Sequence, residues 1–199
     1  MLSEEQKQHF ASLRVEILDL DVCVNFFIRK YNRFAYLWQE TSRAFILEEM
    51  IALRYLENGI ILHLTNLDDD SSKYSFREAY AVYARSNISP TAARELKETL
   101  KTFRKNLNEL KSEHRNKRIG HLNYDEDLNF DEFLDFENHL LPLILEANEI
   151  ADKLWGEKIV VRFRLGSMEG TLDFKEKIQE LKRNTKLLSG FYSNRLMSD

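Results

Sequence analysis

The sequence is poor in cysteine, proline and glycine, with one, two and six of them among its 199 residues. A single cysteine, Cys23, cannot form a disulfide within the chain, which favours a reducing compartment. So little proline and glycine leaves too few turn residues for an all-β sandwich and favours long helices. No apolar run approaches the roughly 20 residues of a membrane-spanning helix. The N-terminal segment MLSEEQKQHF also lacks the pattern of a signal peptide. We therefore expect a soluble, cytoplasmic protein without membrane contact.

The composition itself is that of a folded domain. Hydrophobic residues make up 43% of the chain and aromatic residues 12%, which excludes intrinsic disorder. The net charge of −4 argues against a generic nucleic-acid coat. No linker and no internal repeat divides the sequence, so we expect a single helical domain over 1–199, with a core of about 3–155 and a C-terminal extension of about 156–199.

Apolar residues recur at helical spacing of three and four along most of the chain. The first 66 residues predict two long helices with a break near Asn32. Ser75 predicts the N-cap of a short third helix, and Ser89 followed by Pro90 predicts the start of a fourth. The first stripe comprises Phe10, Leu13, Ile17, Leu20, Val24, Phe27, Tyr31, Phe34 and Trp38, and that of the fourth helix comprises Leu96, Leu100, Phe103, Leu107 and Leu110.

The C-terminal third predicts a further helix, a short β element and a last helix. Asn129 with Glu132 fits a capping box for a helix that runs to about Trp155, and Pro142 should kink it. Alternation over 159–165 predicts a strand, with a hairpin over 166–170 as an option. Asp173 predicts the cap of a final helix to about residue 188. The expected fold is all-α, with about five to six helices and a short strand or hairpin near the C-terminus.

Beyond Leu110, the apolar stripe of the fourth helix becomes cationic. The same spacing leads to His114, Lys117 and His121, so polar groups occupy positions that would otherwise be buried. Segment 101–118 has seven basic and two acidic residues, a net of +5, against the acidic background of the chain. Two interpretations remain open: the helix simply leaves the core here, or a cleft that needs positive charge gathers these groups.

The sequence His114-Arg115-Asn116-Lys117-Arg118-Ile119-Gly120-His121 resembles the motif of the HEPN superfamily (higher eukaryotes and prokaryotes nucleotide-binding). That motif is an Arg followed after four to six residues by a His. Arg-Asn-Lys-x-x-Gly-His is most similar to the abortive-infection branch, whose usual form has Ala at the position of Gly120. The resemblance covers about residues 3–155. It implies a helical bundle that dimerises with the motifs of both copies in one composite cleft.

In many members of the superfamily that cleft is the active site of a metal-independent endoribonuclease that needs no cofactor. The resemblance then implies a catalytic set of Arg115, Asn116 and His121. His121 would be the general acid or base, because imidazole gains and loses a proton near neutral pH. Arg115 would stabilise the charge of the phosphate transition state. We also expect RNA contacts at Lys111, His114, Lys117 and Arg118, and an auxiliary role for Tyr124.

The resemblance also implies a defence or toxin–antitoxin setting, with an antitoxin or a nucleotidyltransferase as an optional partner. An alternative from another class is a non-catalytic helical module that binds nucleotide or a protein partner and retains the motif as a relic. A ferritin-like metal site is excluded, because no Glu lies three residues before any His. Cys23 lies within the first apolar stripe with no adjacent His, which favours a packing role over a nucleophilic one.

Overall fold

The computed structural model describes residues 4–37, 41–72, 75–85, 89–112 and 133–184. Within these ranges the chain forms six α-helices, a π-helical turn before the fifth of them, and two short strands. They are, in chain order, α1 (Glu4–Leu37), α2 (Arg43–Leu67), α3 (Phe76–Ala84), α4 (Pro90–Leu110), the π-helical turn (Phe136–Leu140), α5 (Leu141–Trp155), β1 (Val161–Leu165), β2 (Met168–Leu172) and α6 (Phe174–Asn184). The predicted all-α fold with a C-terminal hairpin is confirmed.

The long first helix follows the predicted apolar stripe, which is buried from Phe10 to Phe27. The predicted break near Asn32 is wrong, because α1 continues to Leu37. An asparagine inside a helix costs at most about 0.7 kcal/mol relative to alanine, so it breaks a helix only when nothing opposes the break. Here Lys30 Nζ and Arg33 Nη2 donate to the Glu49 carboxylate of α2, at 2.7 and 2.9 Å, and hold the last turns of α1.

α1 and α2 run antiparallel and share the most extensive helix contact among the described elements. Glu16, early in α1, hydrogen-bonds to His63, late in α2, whereas Arg33, late in α1, pairs with Glu49, early in α2. We call the interface between these two helices the α1–α2 seam. Because both helices bury their main apolar stripes in the common core, the seam is the place where their flanking side chains meet.

The predicted N-caps at Ser75 and Ser89 are confirmed. The Ser75 hydroxyl accepts from the Glu78 backbone N–H at 3.3 Å, and the Ser89 hydroxyl accepts from the Ala92 backbone N–H at 3.2 Å. Pro90 follows directly in the first turn of α4, where its missing N–H leaves no intrahelical bond unmade.

The helix predicted to begin after Asn129 begins later. Residues 133–135 are not helical, and the Asp135 carboxylate caps the π-helical turn by accepting from the Asn138 N–H at 3.0 Å. Asn129 itself lies outside the described residues. Pro142 falls in the first turn of α5, where proline is tolerated, so the change in helical geometry lies directly before it. α5 then packs against α1, α2, α3 and α4, which places it at the centre of the bundle.

The C-terminal hairpin and α6 belong to the same hydrophobic core as the other helices. β1 and β2 pair antiparallel across the two-residue turn 166–167, and Gly166 adopts a φ of +62°, which favours glycine. Ile159, before β1, and Ile178, in α6, are buried in the main core cluster. Asp173 caps α6 as predicted, by accepting from the backbone N–H groups of Lys175 and Glu176. The described part of the predicted extension, 156–184, is therefore integrated with the helical core.

Candidate functional site

Nearly all of the motif residues lie outside the described residues. The gap between Ser112 and Phe133 contains the predicted catalytic residues Arg115, Asn116 and His121, the predicted RNA contacts His114, Lys117 and Arg118, and Tyr124. Of the predicted site residues, Lys111 is described, and the two flanks of the motif segment are described with it. The roles assigned to this segment therefore stay predictions.

The first flank is the end of α4, which two cations attach to the C-terminus of α2. Lys111 Nζ lies 2.6 Å from Asp68 Oδ2 and 3.0 Å from the Asp68 carbonyl oxygen. Arg104 Nε lies 2.8 Å from Asp68 Oδ1, and its Nη2 lies 2.6 Å from Asp70 Oδ1. Arg77 pairs with the other oxygen of Asp70 at 3.0 Å. This network of three cations and two carboxylates fixes the point where the chain leaves α4.

The network has clear electrostatic consequences. Hydrogen bonds from Arg104, and then from Arg77, lower the pKa of the Asp70 carboxyl. Asp68 in turn is the main cause of a raised pKa at Arg104. Lys111 already has a carboxylate and a carbonyl as acceptors, so a phosphate would have to compete with Asp68 for its ammonium group.

The second flank is fixed to the middle of α2. The Leu134 N–H donates to Glu57 Oε1 at 2.6 Å, and the Glu57 side chain is fully buried. The Arg54 guanidinium lies over the Phe133 ring, 5.3 Å from its centroid. Asp68 and Glu57 are eleven residues apart, or roughly 16 Å along a helix at about 1.5 Å per residue. Both ends of the motif segment are thus tied to one rigid helix.

A second cluster of reactive groups lies in the α1–α2 seam. His63 Nδ1 is 2.9 Å from Glu16 Oε1, and Asn66 Nδ2 donates to the same oxygen at 3.1 Å. Cys23 Sγ lies against Gly59, where the Cβ of any larger residue would be 3.4 Å from the sulfur. Gly59 is one turn before His63, and a helical side chain leans toward the N-terminus of its helix. The imidazole of His63 therefore leans toward the position of the Cys23 thiol.

The charge of His63 reflects these two neighbours. Hydrogen bonds with Cys23 and then with Glu16 raise the pKa of His63 to about 10, against the opposing effect of burial. Cys23 is partly exposed, and the His63 side chain is 24% exposed. At neutral pH the seam thus holds the His63 imidazolium between Glu16 and the Cys23 sulfur.

The sequence interpretation of Cys23 as a packing residue without an adjacent histidine is incomplete. Cys23 does pack against the core, but the fold brings His63 beside it from 40 residues away. Spacing within each helix shows which of these residues share a face. Glu16 and Cys23 are seven residues apart on one face of α1. Gly59, His63 and Asn66 follow one another on one face of α2, at spacings of four and three.

The opposite flank of α1 contains a buried carboxyl of a different kind. Asp21 is 1% exposed and accepts a hydrogen bond from Asn148 Nδ2 of α5 at 2.8 Å. Burial raises the pKa of Asp21 to about 7, although this hydrogen bond opposes the rise. Asn148 Oδ1 is buried without a hydrogen-bond partner in the described structure. A protonated Asp21 could donate to that oxygen, so this pair favours the neutral acid.

Within the described ranges, no three His, Cys, Asp or Glu side chains are arranged to hold a metal ion. None of the described helices is both long enough and apolar enough to cross a membrane. No protein-family model, curated protein or solved structure matches this chain. Its function must therefore be inferred from its own residues.

Proposed function

We propose that this protein is a HEPN-type, metal-independent endoribonuclease that acts as a homodimer in a defence or toxin–antitoxin setting. The observation that carries the proposal is the run Arg115-Asn116-Lys117-x-x-Gly120-His121 within a chain whose described part is an all-α bundle. The setting, and an antitoxin or nucleotidyltransferase partner, follow from the resemblance alone.

The attachment of both flanks to α2 supports a functional segment between them. Asp68 holds the end of α4 and Glu57 holds the chain before the π-helical turn. A catalytic group must be positioned within a fraction of an ångström, which is easier to achieve from rigid supports. A segment of twenty residues whose two ends are fixed meets the first condition for such a site.

The ion pairs also indicate which cations are left for phosphate. Of the seven basic residues in 101–118, three have carboxylate partners in the structure: Lys101 with Glu98, and Arg104 and Lys111 with the α2 terminus. Lys105 is exposed. The burden of RNA binding would thus fall on the cations of the motif itself, with Lys111 as a secondary contact.

The proposed chemistry is transfer of the phosphodiester to the neighbouring 2′-OH of the RNA. His121 accepts the proton of that hydroxyl or protonates the leaving 5′ oxygen, and a neutral and a protonated copy in one dimer could divide these tasks. Arg115 pairs with the phosphate oxygens as their negative charge increases, because its planar guanidinium donates two parallel hydrogen bonds. Asn116 orients the phosphate or the imidazole.

Exposed apolar side chains on the outer face of α1 support the homodimer. Val15 and Phe26 are 56% and 53% exposed, on the side of α1 opposite its core stripe. An antiparallel pairing of two α1 helices centred at position 24 would set Val22 against Phe26 of the second copy. The same pairing sets Asp19 against Arg29 of the second copy, which gives charge complementarity beside an apolar contact.

Light scattering tests this dimer. We expect the wild type to have the mass of a dimer at micromolar concentration and Phe26→Glu to shift toward a monomer, because a buried charge would face the second copy. Leu165→Glu is the matched control, since Leu165 is 71% exposed on the hairpin. A monomeric wild type would remove the composite cleft from the proposal.

The decisive experiment is cleavage of a mixed RNA substrate in EDTA. The wild type is compared with His121→Ala and Arg115→Ala, and both variants should lose at least about 100-fold in rate, because one loses its acid–base group and the other its charge stabilisation. His139→Ala is the matched control, because His139 is an exposed histidine outside the motif and should leave the rate unchanged.

The alternative function is a non-catalytic module that binds nucleotide or a protein partner. RNA binding without cleavage by a folded wild type would favour this module. Cleavage that persists in both motif variants would indicate a contaminating nuclease and would contradict the proposal.

A further inference from the structure

The α1–α2 seam holds a cysteine, a histidine and a carboxylate that the proposed ribonuclease does not use. The three side chains come from two rigid helices, and two hydrogen bonds fix the carboxylate, from His63 at 2.9 Å and from Asn66 at 3.1 Å. The sulfur lies directly against α2 at Gly59, since a Cβ there would be 3.4 Å from Cys23 Sγ, in van der Waals contact. The arrangement is therefore built into the helix pairing and does not depend on a loop.

The hydrogen bonds assign a role to each nitrogen of the imidazole. Glu16 Oε1 accepts from Nδ1, so Nε2 is the nitrogen left for the thiol. A carboxylate on one nitrogen fixes the ring and stabilises its cation, and this cation is a proton donor beside the sulfur. Glu16 is buried, whereas Cys23 and His63 are partly exposed, so the cluster borders on solvent at the side of the cysteine and the histidine.

We propose that Cys23 is a nucleophilic thiol that reacts with hydroperoxides, with His63 as its proton donor and Glu16 as the positioning residue of His63. This site is independent of the motif segment and of the ribonuclease proposal. A structural cysteine would need neither a buried carboxylate nor an amide to orient the histidine beside it.

The reaction is a two-electron oxidation of the sulfur. The Cys23 thiolate attacks one oxygen of hydrogen peroxide, so that an S–O bond forms while the O–O bond breaks. The departing hydroxide takes the proton from Nε2 of the His63 imidazolium and leaves as water. The products are a sulfenic acid at Cys23, a neutral imidazole and one molecule of water. The peroxide is the oxidant and is reduced in the same step.

Purified full-length protein treated with hydrogen peroxide and dimedone tests the proposal. Cys23 is the single cysteine of the chain, so a trapped sulfenic acid has one possible origin, and mass spectrometry measures its rate of formation. At pH 7 we expect the wild type to react about tenfold faster than His63→Asn, because the variant lacks the proton donor for the departing hydroxide. His139→Asn is the control and should react at the wild-type rate.

Glu16→Gln separates positioning from folding. The variant keeps the hydrogen-bonding shape but removes the charge that supports the imidazolium, so the pKa of His63 should fall. At about pH 7 Glu16→Gln should react faster than His63→Asn, and this difference should disappear as the pH rises to about 9. The wild type should remain faster than His63→Asn over the same range. Circular dichroism shows whether each variant is folded, and the peroxide rates of folded variants are compared.

Equal rates in folded wild type and His63→Asn would overturn the proposal, as would failure to trap any sulfenic acid on the wild type. A loss of RNA cleavage in the motif variants leaves this reaction unchanged, so the two proposals fail separately.

Discussion

α1 buries an acidic side chain on each of its two flanks, and the two carboxyls have partners of opposite kinds. Toward α2, Glu16 faces a protonated His63 and the amide of Asn66. Toward α5, Asp21 faces only the amide of Asn148 among its hydrogen-bond partners in the described structure. The two acids are five residues apart on one helix, so the difference between them comes from the helices packed against them.

The comparison contrasts a charged partner with a neutral one. Glu16 has the His63 cation within hydrogen-bonding distance, at 2.9 Å, and such an ion pair offsets part of the loss of water. An amide offsets less of that loss, so burial raises the pKa of Asp21 to about 7. The α1–α2 seam is therefore held by an ion pair, whereas the contact between α1 and α5 is held best when Asp21 carries a proton.

Asp21→Asn should produce the largest effect on stability. The folded pKa of Asp21 is raised above its ordinary 3.8, so the folded state binds more protons than the unfolded state between about pH 4 and pH 7. The free energy of unfolding of the wild type therefore falls as the pH rises through that window. The loss is about 4 kcal/mol if a shift of three pKa units is converted to free energy. The variant mimics the protonated acid, because its amide can donate to Asn148 Oδ1.

Urea denaturation from pH 4 to pH 8 measures this effect. The free energy of unfolding of the variant relative to wild type should rise with pH and level off above about pH 7. A constant difference across the range would show that Asp21 is ionised when folded, and the contrast between Asp21 and Glu16 would be lost.

Asn148→Ala should destabilise the protein by about 2 to 3 kcal/mol, since the buried Asp21 carboxyl would lose its hydrogen-bond donor. The cost should be larger at pH 8, where the lone acid must ionise or hold its proton against the solvent, than at pH 5. Asn108→Ala is the control, because Asn108 is exposed on α4 and should change stability by no more than about 0.5 kcal/mol. Equal denaturation midpoints for the two variants would contradict the prediction.

Much of the fold could be predicted from local pattern. The stripe from Phe10 to Phe27, the caps at Ser75 and Ser89 and the strand before Gly166 are confirmed, because each depends on residues a few positions apart. The π-helical turn that leads into α5 begins at Phe136, later than the predicted helix start, because Asp135 caps this turn and the Leu134 N–H is bound by Glu57 of α2.

The two candidate sites show the same difference between local pattern and tertiary contact. The motif around Arg115 is contiguous, so the sequence alone suggests it, although it lies outside the described residues. The cluster of Glu16, Cys23 and His63 spans two helices, and no spacing within one helix reveals that α2 returns antiparallel to α1 in this register. Such a site needs the fold before it can be found.

His63→Gln should have a smaller effect, of about 1 to 2 kcal/mol at pH 6, because Glu16 keeps its bond from Asn66 while it loses a charged partner. The folded pKa of His63 is raised to about 10, so the stability it contributes is fully present below about pH 6.5 and is lost as the pH rises toward 10. Denaturation curves at pH 6, 8 and 10 should show the difference from wild type shrinking. A difference that grows with pH would mean that His63 is neutral in the seam.

Lys111→Ala should have the smallest effect, about 1 kcal/mol, because Asp68 keeps its pair with Arg104 and Lys111 is itself partly exposed. The matched control is Lys105→Ala, on the exposed face of the same helix, which should leave the denaturation midpoint unchanged. RNA binding at several salt concentrations, measured on both variants, separates the two roles of Lys111. If Lys111 is a structural anchor, Lys111→Ala changes stability and leaves the salt dependence of RNA binding as in wild type. If Lys111 contacts a phosphate, the slope of the logarithm of the binding constant against the logarithm of the salt concentration decreases by about one in magnitude. A reduced slope with unchanged stability would mean that Lys111 leaves Asp68 for RNA, and that this ion pair, unlike the two flanks of α1, is readily exchanged.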